Sequence, residues 1–367
     1  MWFFFLLLLP LAALTYASWH LWILLPLAAG WKVAIISLCV ACFLLLFLDF
    51  TGKLDTLPLP LARTAYSVGT SSLIVLLYLV IIFLVLDVAR LVRIIPHSIV
   101  QQNWITAGAI FAGMFVLMLY GNWNYRNKVR VPLTLQTQKT LPKSYRLVMA
   151  SDLHLGYHNP RTELARWVDM INAESPDLVL IAGDIIDISV RPLIEEGMAE
   201  EFRRIAAPIY ACLGNHEYYS GTPAAQKFYA DAGIHLLSDQ AVEIDSSLVI
   251  IGRDDQTNTR RKPLDELVAG VDRSKYVIVL DHQPHHLDRA EQAGVDFQLS
   301  GHTHRGQVWP ISWVTDSMYE CSWGQHARGK TQFYVSSGIG IWGGKFRIGT
   351  QSEYIVAELK QAQATNY

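Results

Sequence analysis

The sequence predicts a layered α/β domain that follows an all-α transmembrane region of about four helices. Only 17% of the 367 residues are charged and 51% are hydrophobic, whereas soluble proteins carry roughly 25% charged residues. Long apolar stretches lie before residue 122, and after residue 145 short apolar runs alternate with amphipathic segments, as in an α/β domain. The expected organisation is a transmembrane region over 1–122, a connector over 123–145 and one domain over 146–367.

The charged residues are unevenly distributed along the chain. Of the 30 basic and 32 acidic residues, five basic and three acidic residues lie in 1–122, which leaves 25 and 29 for 123–367. The second part is therefore a slightly acidic globular domain, long enough for a substantial core. Its charge excludes nucleic acid as an expected electrostatic partner. The four cysteines follow no disulfide or zinc-type spacing.

Four apolar stretches are candidates for membrane spans, because a spanning helix needs about 20 apolar residues. We interpret the first, which contains Pro10 and Pro26, as one tilted or kinked helix, and not as a signal peptide, since no basic segment precedes it. Asp87, near the end of the third, is expected to pair with a neighbouring arginine at the membrane boundary; the alternative is an intramembrane functional charge. The four stretches are residues 2–29, 33–48, 72–95 and 104–121.

The distribution of basic residues favours a cytoplasmic position for the C-terminal domain. Four spans place both termini on one side of the membrane, and basic residues are enriched on cytoplasmic sides. One span more or fewer would reverse the assignment. We therefore expect a multi-pass protein of the inner cell membrane. The domain's side would hold Lys53, Arg63, Arg126, Lys128 and Arg130, against Lys32, Arg90 and Arg93 on the other.

The domain opens with a strand over 145–151 that is followed by Asp152 and His154. Side chains two residues apart in a strand point to the same face. A carboxylate and an imidazole on one face suit a divalent metal. On its own, this pair is a weak signal.

The next strand, 178–182, ends in a glycine and two acids, Asp184 and Asp187. Ligands of open α/β sheets bind at the carboxyl ends of the strands, which makes Asp184 a candidate ligand. The alternative is an ordinary turn, because Gly and Asp are common turn residues.

Three later strands also end in residues that can bind metal. The run 209–213 leads into Gly214, Asn215, His216 and Glu217. A hairpin turn would explain this one segment, but not the repetition of the pattern. The other two strands, 276–280 and 297–300, lead into His282 and into His302 and His304, and further elements are expected as helices over 161–173, 195–206 and 222–233 and as strands over 247–252, 333–336 and 354–359.

Five motifs in this order, D-x-H, G-D-x-x-D, G-N-H-E, a single His after a strand and G-H-x-H, resemble the calcineurin-like metallophosphoesterases over about 150–305. The resemblance implies a two-sheet sandwich flanked by helices, a four-layer α/β/β/α fold with metals at the strand ends. The downstream stretch Gly301–Gln307, together with Val335–Gly340, looks like a bacterial branch of small or membrane-linked phosphodiesterase-like members. That branch often has Gly where this chain has Arg305, so the mouth of the site departs from the pattern.

The resemblance also implies a role for each motif residue. Asp184 would bridge two metals, and His216 would be the general acid. Asp187 would support the site without binding metal, and Glu217 would orient His216. One metal would be held by Asp152, His154, Asp184 and His304, and the second by Asp184, Asn215, His282 and His302.

Phosphoester cleavage gives these residues a chemical purpose, because two cations about 3.5–4 Å apart can stabilise both the attacking and the leaving oxygen. Imidazole and carboxylate ligands favour manganese, iron or zinc. In the Gly-rich tail, Trp342 and Arg347 are candidates for lining the substrate mouth.

Three functional hypotheses follow for the whole chain. The leading one is a membrane-anchored phosphodiesterase or pyrophosphatase acting on a lipid-linked substrate; hydrolysis of UDP-2,3-diacylglucosamine, known for related members, is one concrete version. The second is a phosphomonoesterase acting on proteins or small molecules. The third is a catalytically silent membrane sensor or scaffold, which the complete ligand set disfavours.

Overall fold

The computed structural model describes the backbone of residues 2–362 and the side chains of 8–48 and 51–362. The chain divides into two compact units. One comprises the residues up to Trp123 together with Gly343–Phe346. The other comprises Asn124–Trp342 and the residues from Arg347 onward.

The first unit is helical, and three segments among its described residues are long and apolar enough to cross a membrane: Ala29–Leu48, Leu59–Leu91 and Trp104–Arg126. The apolar helix Leu8–Leu24 is shorter over the residues described. The sequence predicts about four transmembrane helices, and the described residues contain three candidate spans and this shorter helix. The helices are α1 (Trp2–Leu24), α2 (Ala29–Leu44), α3 (Leu46–Phe50), α4 (Leu59–Leu91) and α5 (Trp104–Arg126), with short 3₁₀ segments at Lys53–Thr56 and His97–Ile99.

Helix α4 runs over 33 residues, so it begins well before the predicted 72–95. Near its end, Asp87 Oδ1 lies 3.2 Å from Arg90 Nη2. The predicted pairing of Asp87 with an arginine is therefore confirmed. Asp87 Oδ2 also accepts a hydrogen bond from Tyr16 of α1 at 2.8 Å.

Over the residues that the structure describes, the second unit contains twelve strands in two sheets of six. The first sheet has the order β1-β12-β2-β3-β4-β5, and the second has the order β10-β11-β9-β8-β7-β6. The strands are β1 (Lys128–Thr137), β2 (Tyr145–Ala150), β3 (Leu178–Ala182), β4 (Ile209–Cys212), β5 (Ile234–Leu236), β6 (Gln240–Ile244), β7 (Leu248–Gly252), β8 (Tyr276–Leu280), β9 (Phe297–Ser300), β10 (Gly324–Arg328), β11 (Thr331–Val335) and β12 (Ser352–Gln361).

Alternate residues of the central strands face two different cores. In β2, Leu147 and Met149 lie in the core between the sheets, whereas Val148 packs with the helices outside the first sheet. Because both faces are covered, the buried stretches of these strands are largely apolar. The arrangement is the predicted α/β/β/α sandwich. Its helices are α6 (Arg161–Ala173), α7 (Arg191–Glu195), α8 (Met198–Phe202), α9 (Asn215–Tyr219), α10 (Thr222–Ala232), α11 (Leu264–Ala269), α12 (Leu287–Ala293) and α13 (Ile311–Met318).

Two segments differ from the prediction. The single helix expected over 195–206 is replaced by α7 and α8, because Gly197 between them adopts a left-handed conformation with φ 64°. Within the expected connector, residues 128–137 form β1, which pairs in parallel with β12. Its alternating residues Leu133 and Leu135 are buried between the sheets, which explains why this polar-looking segment is a strand.

The topology brings the predicted ligands to one edge of the sandwich. Strands β2, β3 and β4 are adjacent and parallel, and so are β8 and β9 in the other sheet. Their carboxyl ends therefore deliver side chains to a common region.

Candidate metal centre

The backbone is strained where it delivers the predicted ligands. Left-handed conformations cost non-glycine residues about 1–2 kcal/mol each, and such strain clusters at functional sites. Five of the seven predicted ligand positions have φ between 44° and 70°. They are Asp152, His154, Asp184, His302 and His304.

A first cluster gathers Asp152, His154 and His304. The Nε2 atoms of His154 and His304 lie 3.0 Å apart. Asp152 Oδ1 is 3.5 Å from Nε2 of His304 and 3.8 Å from Nε2 of His154. Asp152 is held in place by the backbone N–H of His302, which donates to its Oδ1 at 3.0 Å.

A second cluster gathers Asp184, His282 and His302. Asp184 Oδ2 lies 3.0 Å from His282 Nε2. Asn215 Oδ1 completes the cluster, at 3.2 Å from His282 Nε2 and 2.9 Å from His302 Nδ1.

Asp184 connects the two clusters through a single atom. Its Oδ2 is the oxygen next to His282, and it also lies 3.7 Å from Nε2 of His154 in the first cluster. Its other oxygen, Oδ1, accepts the backbone N–H of His216 at 2.9 Å. The carboxylate is therefore oriented with Oδ2 toward both groups of nitrogen ligands.

The glycines of the G-D and G-N motifs allow this close approach. Gly183 has φ +77°, and a Cβ there would lie 2.8 Å from His282 Nδ1. A Cβ at Gly214 would overlap the Asp184 carboxylate. Both glycines are thus required for the chain segments to meet.

Burial and neighbouring charges set the protonation of the site. Burial lowers the pKa of His302 to about 4 and that of His304 to about 3. Burial raises the pKa of Asp152, but His304, His154 and His282 outweigh it, so the net pKa is lowered. Near pH 7 His302 and His304 are therefore neutral imidazoles and Asp152 is a carboxylate, the forms that bind metals.

His282 shows that the site attracts a cation. Its Nδ1 lies 2.7 Å from the carbonyl oxygen of Ala182 and donates to it, so Nε2 faces the oxygens of Asp184 and Asn215. Burial lowers the pKa of His282, but the Asp184 carboxylate raises it more, and the net pKa is well above its usual value. Nε2 therefore needs a proton or a metal between itself and these oxygens.

The separations within the clusters also fit metal ligands. Two donor atoms about 2.0–2.2 Å from one ion are roughly 3.0–3.5 Å apart at octahedral or tetrahedral angles. The distances of 3.0 Å between His154 and His304 and 3.5 Å between His304 and Asp152 match this spacing. The donor set and the geometry thus fit divalent metal ions.

Asp187 lies behind the imidazoles. Its Oδ1 is 3.3 Å from Nδ1 of His154 and 3.2 Å from Nδ1 of His216, and the carboxyl is fully buried. A carboxylate on the far nitrogen of a ligating histidine fixes the ring and its tautomer.

The resemblance implied that Glu217 orients His216. In the structure, the Glu217 carboxylate instead binds backbone N–H groups. Its Oε2 accepts the backbone N–H groups of Gly214 at 2.7 Å and Asp184 at 3.1 Å. Its Oε1 accepts the N–H of Ile186 at 3.0 Å. Glu217 therefore fixes the backbone of the loop that carries Asp184, and Asp187 is the residue that contacts the His216 ring.

The expectation that Arg347 lines the substrate mouth is wrong, because its side chain is fully buried. Its Nη1 donates to the carbonyl oxygen of His304 at 2.7 Å, and its Nη2 donates to those of Ser337 and Gly340. Arg347 thus clamps the backbone beside a predicted ligand. In the sequence, a basic residue within a Gly-rich segment indicates an exposed side chain, so the burial of Arg347 could not be predicted.

Arg305 is the residue at which the mouth of the site departs from the family pattern. Its guanidinium carbon Cζ lies over the indole ring of Trp323, 4.2 Å from the ring centroid. Trp323 also donates from Nε1 to Glu353 at 3.0 Å. Trp323 could not be connected with the site from the sequence, because it is isolated from all five motifs.

Comparisons with known proteins agree with this geometry. The family model described as calcineurin-like phosphoesterase matches residues 145–306. An uncharacterized metallophosphoesterase from Aquifex aeolicus is 34% identical over 264 residues, which cover 67% of this chain and 98% of that protein. One from Campylobacter jejuni is 30% identical, with 67% of each chain covered.

A further relative carries a membrane region by name. The "transmembrane protein with metallophosphoesterase domain" from Danio rerio is 29% identical over 316 residues, covering 79% of this chain and 71% of that protein. The similarity therefore extends over more of this chain than the α/β unit alone.

Proposed function

Because this chain belongs to the calcineurin-like metallophosphoesterase family of metal-dependent phosphoester hydrolases, we propose that it uses two divalent metal ions to cleave phosphodiester or pyrophosphate bonds at a membrane. The observation that carries the proposal is the position of Asp184 Oδ2, 3.0 Å from His282 Nε2 and 3.7 Å from His154 Nε2. One oxygen in reach of two ligand clusters is what a shared ligand requires.

In this proposal, each metal has four protein ligands. When bound, the two ions would neutralise charge on the phosphoryl oxygens and lower the pKa of a bound water to about 7. Imidazole, carboxylate and amide donors without thiolate favour manganese, iron or zinc. The first set is Asp152, His154, Asp184 and His304, and the second is Asp184, Asn215, His282 and His302.

His216 is proposed to protonate the leaving oxygen. Its Nδ1 lies 3.0 Å from the carbonyl oxygen of Asp187 and 3.2 Å from the carboxylate oxygen of the same residue. Two acceptors at Nδ1 keep a proton there, which leaves Nε2 as the nitrogen that would donate to the leaving oxygen. A positioned general acid typically contributes about 10²–10⁴-fold to the rate.

We further propose that the substrate is lipid-linked and that the α/β unit lies at the cytoplasmic face of the inner membrane. The helix α5 is apolar enough to span a bilayer and ends at Arg126, and β1 begins at Lys128. This short connection tethers the α/β unit to the end of a candidate membrane span. The greater number of basic residues on that side favours the cytoplasmic assignment.

The reaction class can be tested with the full chain in lipid nanodiscs supplied with Mn²⁺. We expect metal-dependent hydrolysis of bis-p-nitrophenyl phosphate that is faster than hydrolysis of the monoester. A preference for the monoester would contradict the diester assignment. Metal-loaded protein that cleaves neither compound would contradict the enzymatic role.

The lipid-linked part needs a separate comparison. A water-soluble pyrophosphate diester and its diacylated counterpart would be offered to the same nanodiscs at equal bulk concentration. We expect a higher kcat/KM for the acylated compound. Equal values would remove the lipid from the proposal while leaving the two-metal chemistry in place.

A further inference from the structure

Helix α13 exposes an apolar surface on the α/β unit. Trp313 and Met318 are 65% and 66% exposed, and Val314, Ile311 and Trp309 just before the helix are also exposed. Large apolar side chains grouped on one exposed surface mark an interaction site in a soluble domain. We define these five residues as the α13 patch.

Helix α13 does not bury its large apolar residues. Its buried residue is the polar Ser312, whereas Ser317 and Asp316, which accepts a hydrogen bond from Ser322, are exposed. A surface helix normally turns its apolar stripe inward. The apolar side chains exposed on α13 therefore indicate a neighbour other than water.

The position of the patch identifies that neighbour. Near the end of the apolar helix α5, Asn124 Nδ2 donates to the carbonyl oxygens of Arg347 and Thr350, both at 2.9 Å. Between these two residues, Ile348 accepts the backbone N–H of Trp309 at 2.7 Å. The patch thus begins one backbone pairing away from the carboxyl end of a candidate membrane span.

The composition of the patch fits the bilayer better than a protein partner. Tryptophan is enriched where membrane meets water, because its ring is apolar and its N–H is polar. Interfacial helices place Trp and other apolar residues about 5–10 Å into the boundary between headgroups and acyl chains. The two tryptophans of the patch pack edge to face, with ring centroids 5.4 Å apart, and form one continuous apolar surface.

We propose that α13 lies in the interfacial layer of the phospholipid bilayer, with Trp313, Val314 and Met318 among the acyl chains. This surface is additional to the spanning helices and does not rest on the proposed reaction. It has a consequence for the site, because the predicted ligand His304 belongs to the 3₁₀ turn His304–Gly306. A Cβ at Gly306 would lie 2.5 Å from the backbone of Ile311, so this turn and α13 are in direct contact. Lipid contact at α13 therefore holds the metal site at the level of the headgroups.

The proposal can be tested by labelling one position at a time with the fluorophore NBD. Full-length protein carrying Met318→Cys, with Cys39 and Cys42 replaced by serine, would be placed in phosphatidylethanolamine–phosphatidylglycerol nanodiscs at one copy per disc. We expect emission shifted to shorter wavelength and quenching by lipids that carry a nitroxide on the acyl chain. Depth analysis should place the label about 5–10 Å into the boundary.

The matched control is Ile194→Cys, an apolar position on α7 that is 69% exposed. It should show emission at long wavelength and no quenching by the nitroxide lipids. A Met318 label that behaves like the Ile194 label would overturn the proposal. Shifted emission without lipid quenching would also overturn it, because the cover would then be protein; Val314→Cys repeats the test should the first variant fold poorly.

Discussion

Replacing Asp187 by asparagine should impair proton transfer by His216. Asp187 Oδ1 lies 3.2 Å from His216 Nδ1. Burial raises the pKa of Asp187, but hydrogen bonds to His154 and His216 outweigh it, and the net pKa is well below its usual value. The carboxylate is therefore charged throughout the working pH range, and Asp187→Asn removes a full negative charge.

The size of the effect follows from this distance. At an effective dielectric constant near 20, a carboxylate about 3 Å from an imidazolium stabilises it by roughly 5 kcal/mol before desolvation is subtracted. Losing even about 2.7 kcal/mol of that amount corresponds to a hundredfold change in rate. We therefore expect a loss of about 10²–10⁴-fold, the range of general-acid catalysis, for substrates with a poor leaving group.

The assay compares leaving groups at saturating Mn²⁺. An alkyl leaving group needs a proton, whereas p-nitrophenolate departs without one. We expect kcat to fall far more for the alkyl diester than for the p-nitrophenyl diester. In the His216→Gln background, Asp187→Asn should then cause little further loss with the alkyl diester. An equal loss for both leaving groups would refute the role of Asp187 in proton transfer, and unchanged rates would refute any role.

Three further predictions concern the construction of the site. Gly214→Ala should abolish metal binding measured by elemental analysis while leaving the circular dichroism spectrum unchanged, because its Cβ would overlap Asp184; a variant with full metal content would contradict the described contact. Arg347→Met should lower the free energy of unfolding by about 3 kcal/mol or more in chemical denaturation, since buried carbonyl groups lose their donor; an unchanged midpoint would contradict the clamp. Metal binding at pH 7 should release about two protons, measured by calorimetry in buffers of different ionisation enthalpy. The protons come from His154, whose pKa Asp152 and Asp187 raise to about 10 against the effect of burial, and from His282, whose pKa Asp184 raises. The metal affinity should therefore increase with pH, and binding without proton release would contradict these protonation states.

Much of the fold could be predicted because its central strands are local patterns. β3 has the predicted bounds, Leu178–Ala182, since an apolar run that ends at Gly183 needs no information from elsewhere in the chain. The same holds for the motifs after the strands, whose residues the topology brings together.

The remaining features depend on contacts between distant parts of the chain. β1 is a strand because it pairs with β12 more than 200 residues later, and its own sequence looks like a linker. The separate roles of Asp187 and Glu217 depend on the path of the loops, which places one carboxylate against imidazoles and the other against three backbone N–H groups. The burial of Arg347 likewise depends on carbonyl groups from distant loops.

The central claim is that Asp184 Oδ2 is shared by two metal ions, and electron paramagnetic resonance of the Mn²⁺-loaded chain tests it most directly. Two manganese ions bridged by one oxygen are exchange-coupled, so the wild-type protein should give the spectrum of a coupled pair with two ions per chain. Asp184→Asn should lose this spectrum together with metal content. A wild-type spectrum of isolated, uncoupled Mn²⁺, or a single ion per chain at saturation, would contradict the shared ligand.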